Sequence, residues 1–382
     1  MDAGRRVWNH SWLRACAAGL IAVAASAPAL GQRIVVFGDS LSDTGNVLAF
    51  SQTPLAAGLG FTPRPTAPWY EPGQFTNGVT GGAGLRATRF TQGSWVNVFA
   101  DRLGTARPAA SGLAPDTAPT GSNFAWGGAQ ASEGSLLPPV ATQVGFYLSA
   151  SAQPGTTIPR SPDTIHAFWL GGNDLLNAAR ASGATPASVA AAGNAAMAAM
   201  RESIQTLVDA AGSSGGGGGS GGGQGRVRVL WANVPSLDRT PLGASLPLDV
   251  RTALRDASVA FRAQQGVEAA LLRAANPGLE LATLDVFGVF EEVLADPAAF
   301  GVENVTTPIL ATTDFTVPGP FSPTLNVGLD ADPDRYAFWD DLHPTARMHA
   351  LIGERAAMVI PAPGVAGLLA LGGWVVIARR RR

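Results

Sequence analysis

Ser40 and His343 are the residues in this sequence best equipped for covalent chemistry. Ser40 closes the run Ile34-Val35-Val36-Phe37-Gly38-Asp39, in which an apolar, β-branched stretch delivers a hydroxyl into a sharp turn. A hydroxyl is a weak nucleophile until a neighbouring base takes its proton. His343 stands in Asp340-Asp341-Leu342-His343-Pro344-Thr345. A tight loop there can fold an aspartate back onto the imidazole and fix its tautomer. Asp340, three residues earlier, is the candidate partner, and Asp341 is the alternative. Attack on a carbonyl also needs N–H donors for the oxygen that becomes negative. Three are on offer: the Ser40 N–H, an N–H of the Gly127-Gly128 turn, and the side-chain amide of Asn173 in Gly171-Gly172-Asn173-Asp174. Plainer readings stand beside these. Gly-Asp-Ser and Gly-Gly can be turns only. Asn173 can cap the next helix unless Asp174 does so, and His343 can be an N-cap, although histidine is not a preferred type.

These residues need elements to position them. Ile34–Gly38 predicts a buried parallel strand with Ser40 at its C-terminal edge, where ligands bind in open α/β sheets, and near a helix N-terminus. Thr164–Leu170 predicts a second such strand, running directly into Gly171-Gly172-Asn173-Asp174. His166 lies inside that strand and reads as a core histidine. Gly121–Ala129 is a short apolar piece that runs into the Gly-Gly turn. Ser94–Leu103 predicts a short amphipathic helix. Thr185-Pro186 opens a long one, with Met197, Met200, Ile204, Leu207 and Val208 at helical spacing. Strand-type sequence resumes at 226–235, Leu248–Ala275 reads as helix, and Leu279–Val286 reads as strand. Phe287–Phe300 reads as a helix whose adjacent Glu291 and Glu292 point apart, on a solvated face. Pro344 is expected to start the last helix, running to about Val359. Asn46–Arg89 shows little periodicity and many prolines and glycines, which predicts a long surface excursion beside the nucleophile. Its Trp69, Tyr70 and Phe75 either line a substrate site or pin the excursion to the body.

Composition narrows the function classes. A chain of 382 residues with a net charge of −2 has the length for a large core and no basic excess to suggest a nucleic-acid surface. Cys16 is the only cysteine, so neither an intrachain disulfide nor a cysteine metal site can form. Residues 1–31 have the pattern of a secretory signal: Arg5, Arg6 and Arg14, then the apolar Ala15–Leu30, with small residues for cleavage near Gly31 or Ala27. Arg5-Arg6 also fits a twin-arginine signal, though general secretion fits better. Removal of that segment leaves no cysteine, which suits an oxidising compartment. At the other end, Pro361-Ala362-Pro363 precedes the apolar Gly364–Ala378 and four terminal arginines, which a membrane would keep on the cytoplasmic side. The glycine-serine tract 212–225 lacks a Gly-Lys-Ser/Thr ending and reads as a flexible insertion, not a phosphate loop.

Four motifs in order carry a family resemblance: Gly38-Asp39-Ser40-Leu41, Asn123–Ala129, Gly171-Gly172-Asn173-Asp174 and Asp340–Thr345. Over residues 33–360 the chain resembles the GDSL esterases and lipases of the SGNH hydrolase superfamily. The resemblance implies a three-layer α/β/α sandwich with a mostly parallel, flavodoxin-like sheet, and no metal or organic cofactor. It implies Ser40 as nucleophile, His343 as general base and Asp340 as its orienting partner. The oxyanion hole would be the Ser40 N–H, the Gly128 N–H (or that of Gly127) and the Asn173 side chain. The tail resembles a PEP-CTERM sorting segment, with Ala362 where that signature has glutamate.

The expectation is therefore three regions: a signal peptide at 1–31, a hydrolase domain at 32–360, and a sorting or anchoring segment at 361–382. The expected activity is hydrolysis of carboxylic esters, on a small-molecule, lipid or polysaccharide substrate, by an exported enzyme. A membrane attachment through the tail and a processing protease are its expected partners. A carbohydrate O-acetylesterase or acyltransferase acting on surface polysaccharide is the alternative. A non-enzymatic surface or matrix protein is a remote one.

Overall fold

The computed structural model describes residues 33–78, 84–112, 120–134, 137–213, 226–311 and 318–360. The proposed signal segment, most of the 212–225 tract and the C-terminal tail lie outside the described residues.

Four parallel strands form the sheet: β1 (Arg33–Gly38), β2 (Thr164–Trp169), β3 (Val227–Ala232) and β4 (Leu279–Leu284), in that spatial order. Along the free edge of β1 runs the 122–126 stretch, also parallel. Val36 N–H donates to Ser122 O, Phe124 N–H to Val36 O and Trp126 N–H to Gly38 O. Counted with that stretch, the order across the sheet is second, first, third, fourth, fifth in the chain. This is the doubly wound order, which places a ligand crevice beside the first strand.

Helices cover both faces. They are α1 (Asn46–Ser51), α2 (Pro54–Gly58), α3 (Trp95–Leu103), α4 (Val140–Ser151), α5 (Gly172–Arg180), α6 (Pro186–Ser213), α7 (Pro241–Ala244), α8 (Leu248–Ala275), α9 (Val286–Ala295) and α10 (Ala346–Val359). The strand period of two sorts the core into layers. Val35 and Phe37 face the side packed by α4, α5, α6 and α8. Ile34 and Val36 face the side packed by α3, α9 and α10. With an apolar layer on each face, β1 and β2 read as mostly apolar runs, which is why they were legible in the sequence. The result is a three-layer α/β/α sandwich, as the family resemblance implied.

Several boundaries differ from the sequence expectation, each for a local reason. No helix begins at Ser40: the turn closes with Ser42 and Asp43 N–H donating to Asp39 O, and α1 starts only at Asn46. Among its described residues the 46–89 excursion holds the short helices α1 and α2, the second capped by Thr53 with Pro54 following. β4 stops at Leu284 because Asp285 turns to cap α9 through Gly288 N–H. The 287–300 helix ends at Ala295, where Asp296 caps a separate 3₁₀ turn at Pro297–Phe300. Glu291 and Glu292 do point apart, to Arg255 and to Arg355. α10 starts at Ala346, two residues after Pro344, because Pro344 is held in an antiparallel bridge with Phe338.

His166 is a core residue. Its Nδ1 lies 3.1 Å from Arg228 O and its Nε2 3.0 Å from the Tyr147 hydroxyl. Burial pushes this imidazole down to about 4. Between pH 6.5 and 4 the unfolded chain therefore binds a proton that the folded chain refuses, and stability falls as pH falls through that window. In urea unfolding, the stability advantage of wild type over H166Q is expected to shrink by up to about 3 kcal/mol across that window. A pH-independent difference would contradict this account.

Candidate active site

Two loops meet at the C-terminal edge of the sheet. The first follows β1. Its tightness requires glycine at position 38, where a Cβ would stand 2.6 Å from Ser42 Cβ and 3.2 Å from Ala125 Cβ. The buried Gln143 of α4 grips both backbone groups of Gly38: its Oε1 accepts the N–H and its Nε2 donates to the carbonyl, each at 2.9 Å. Asp43 accepts from Gly45, Asn46 and Val47 N–H and, across the loop, from Gly127 N–H at 2.9 Å. Asn46 donates to Asn123 O and Ala125 O, and Asn123 donates back to Ser42 O and Thr44 Oγ1. The serine turn and the Gly-Gly turn are thus one polar unit.

The second loop, 336–345, folds back on itself. Trp339 N–H donates to His343 O at 2.8 Å, and Thr345 N–H to Ala337 O at 3.0 Å. Asp340 Oδ1 accepts from Leu342 N–H at 2.9 Å and His343 N–H at 2.7 Å. His343 Nδ1 lies 3.0 Å from Asp340 Oδ1 and 2.8 Å from Oδ2. A carboxylate only accepts, so the Nδ1 proton points to Asp340 and Nε2 is left as an acceptor. His343 Nε2 stands 2.8 Å from Ser40 Oγ. Asp341, the alternative partner, is not among the carboxylates bonded to the imidazole. Thr345, not His343, is the residue before α10.

Charge in this pocket is unevenly set. Burial by itself would raise Asp340, but the His343 charge, the His343 hydrogen bonds and the Tyr70 hydroxyl together carry it below the usual carboxylate range. Burial pushes Asp39 up to about 7, against its bond from Leu41 N–H and the pull of His343. Burial likewise pushes Asp43 up to about 6, against four backbone donors. His349, buried under α3 where its Nδ1 accepts from Trp95 N–H at 3.2 Å, is pushed down to about 3 by burial and by His343.

The candidate donors fall on the same edge. The Gly127 N–H is committed to Asp43, whereas the Gly128 N–H has no acceptor among the described residues. Gly128 has φ +83°, a conformation that disfavours any side chain. Asn173 sits in the first turn of α5 and donates one amide N–H to Ala129 O at 2.8 Å, which ties it to the Gly-Gly turn and leaves its second N–H. Neither Asn173 nor Asp174 caps α5, which begins after Gly171 without a side-chain cap. Asp174 instead accepts from Ala131 N–H and Ser132 N–H. Ser40 and Asn173 both line a cleft whose apolar walls include Leu41, Trp169, Leu176, Leu237, Phe290 and Leu342. Among the described residues no group of three or more His, Cys, Asp or Glu side chains is placed to hold a metal ion.

Some supporting residues carry no sequence signal of their own. The 70–77 part of the excursion braces the histidine loop throughout. Tyr70 hydroxyl donates to Asp340 Oδ2 at 2.7 Å, and the Phe75 ring lies 5.1 Å from the imidazole, centre to centre. Thr76 Oγ1 donates to Pro344 O at 3.1 Å, and Asn77 Oδ1 accepts from Ala346 N–H at 2.7 Å. Tyr70 and Phe75 are buried and pin the excursion, and Trp69 packs half-buried nearby. Loop polar residues have no periodicity to betray such partners.

Comparison with known proteins gives the following. No curated protein sequence matches the chain. Among solved structures it is similar to the native aryl esterase of M. smegmatis, at 14% identity and a TM-score of 0.36, covering 86% of this chain and 100% of that one. A carbohydrate acetylesterase from Sinorhizobium meliloti gives 14% identity and 0.36, over 86% and 100%. An extracellular lipase from Streptomyces rimosus gives 14% and 0.36, over 85% and 100%. A sequence-family model, the GDSL-like lipase/acylhydrolase, matches residues 34–356, a span that contains all four motifs and both loops of the site. The chain belongs to the GDSL-like lipase/acylhydrolase family.

Proposed function

We propose that the protein is a serine ester hydrolase that works through an acyl-enzyme on Ser40. The observation that carries this is the alignment Ser40 Oγ, His343 Nε2, His343 Nδ1, Asp340, with 2.8 Å at each junction. His343 takes the Ser40 proton as Oγ attacks the ester carbonyl. Asp340 holds the imidazole in the tautomer that can accept it and stabilises the cation that forms. The Ser40 N–H, the Gly128 N–H and the second Asn173 N–H receive the oxyanion. His343 then gives the proton to the leaving alcohol, and water releases the acid by the same path. The apolar walls of the cleft suit the acyl side of the ester.

Export belongs to the same proposal and rests on the arginine, apolar and small-residue pattern of 1–31. The Pro-Ala-Pro, apolar and arginine pattern of the tail supports retention at a membrane, or processing there.

Two substitutions test the chemistry on p-nitrophenyl esters of increasing chain length. Ser40→Ala is expected to lower turnover about 10⁴- to 10⁶-fold while leaving the melting temperature near wild type. Substantial residual turnover would remove Ser40 as the nucleophile. Asn173→Ala is expected to lower kcat about 10²- to 10³-fold with KM little changed. Near-normal kcat in that variant would strike Asn173 from the oxyanion hole.

A further inference from the structure

We propose that Tyr70 is a positioning residue for the acid–base pair, the outer end of a hydrogen-bond chain that runs Ser40, His343, Asp340, Tyr70. This inference rests on the catalytic reading given above. Its warrant is geometric. The Tyr70 hydroxyl is 2.7 Å from Asp340 Oδ2, the same oxygen that stands 2.8 Å from His343 Nδ1. The side chain is 1% exposed, so water does not compete for the hydroxyl. Its ring is fixed by Trp339, edge-on at 6.2 Å, and by Phe321 at 5.7 Å. Thr76 and Asn77, six and seven residues on, tie the same segment to Pro344 and Ala346 on the far side of His343. The hydroxyl is therefore delivered to the carboxylate by a segment anchored on both sides of it.

A donor aimed at a buried carboxylate does two things. It stabilises the ionised form, so that Asp340 does not take the imidazole proton. It also spreads the carboxylate charge, which moderates how strongly Asp340 favours the imidazolium. Without the hydroxyl, Asp340 holds the proton on His343 more tightly. Less free base is then available at a given pH, and the acid limb of kcat/KM moves up. The other titratable groups that act on this pair are Asp39 and His349 near His343, and Asp341 near Asp340 and Tyr70. All three remain in a Tyr70 variant, so a displaced limb reports the hydroxyl.

The test is the pH dependence of ester hydrolysis by full-length Tyr70→Phe, beside wild type, Ser40→Ala and Tyr147→Phe. Tyr147→Phe removes a buried hydroxyl that serves His166 instead. Tyr70→Phe is expected to raise the midpoint of the acid limb by about half a pH unit and to lower kcat about tenfold, with KM little changed. Its low-field proton resonance for the His343–Asp340 bond should shift as well. Tyr147→Phe should keep the wild-type profile. If Tyr70→Phe does not fold, site-specific 3,5-difluorotyrosine at position 70 replaces it. That stronger donor should move the acid limb downward. A Tyr70→Phe or difluorotyrosine profile that superimposes on wild type overturns the inference, as does an equal shift in Tyr147→Phe. An active Ser40→Ala enzyme would instead overturn the catalytic reading beneath it.

Discussion

A hydrogen bond of 2.8 Å between Ser40 and His343 joins residues 303 positions apart, and a change of a few tenths of an ångström would weaken it. Nothing local to either residue can hold that length. Ser40 is placed by β1, by the Gln143 clamp on Gly38 and by the Asp43 and Asn46 bonds to the Gly-Gly turn. His343 is placed by a loop closed on its own backbone and braced by residues 70–77. The layers behind both loops, α4 under one and α3 with α10 under the other, are the two faces of a single sheet. Rigidity in the sheet is therefore converted into precision at its edge, which is what a preorganised site requires.

The order of strands explains why the candidate donors and Ser40 converge. The 122–126 stretch that leads to Gly128, β1 that leads to Ser40 and β2 that leads to Asn173 are adjacent and parallel, so all three finish at the same edge. Residues spread over more than 130 positions need no further device to meet. The Asn173 amide then cross-links the outer two, through Ala129 O, and Asp174 adds Ala131 and Ser132. His343 and Asp340 come from elsewhere, on the 336–345 loop, and that loop is braced by residues 70–77.

This division matches what could be read from the sequence. β1 and β2 were legible because burial on both faces leaves a mostly apolar run, broken in β2 only by His166, and α8 because Val250, Leu254, Ala257 and Phe261 repeat at helical spacing. Asp340 was legible as the partner of His343 because three residues suffice to close a tight loop. The choice between Gly127 and Gly128 was not legible, since it depends on Asp43 claiming one of two adjacent N–H groups from 84 positions away. Asn77 and Gln143 escaped for the same reason; Tyr70 was read as lining a site or pinning the excursion, but not as a partner of Asp340. A polar side chain whose partner is distant in sequence leaves no period and no spacing. The absence of a helix at Ser40 was also hidden, because the sequence places small polar residues there without showing that Asp43 would spend its carboxylate on the turn.

The electrostatics at the edge complete the argument. Asp39, Asp43, Asp174 and Asp340 are all buried near the site. Burial raises Asp39, Asp43 and Asp174, each held back by backbone donors. Asp39, at about 7, is the nearest of these to giving up its charge at neutral pH, and it is the residue next to the serine. Only Asp340 is carried below its ordinary value, by the imidazole itself and by Tyr70. Asp340 is the carboxylate that faces Nδ1, and it is this buried anion that orients the imidazole. The long excursion has a part in this arrangement: its Tyr70 hydroxyl donates to Asp340 Oδ2, the oxygen that also faces His343 Nδ1.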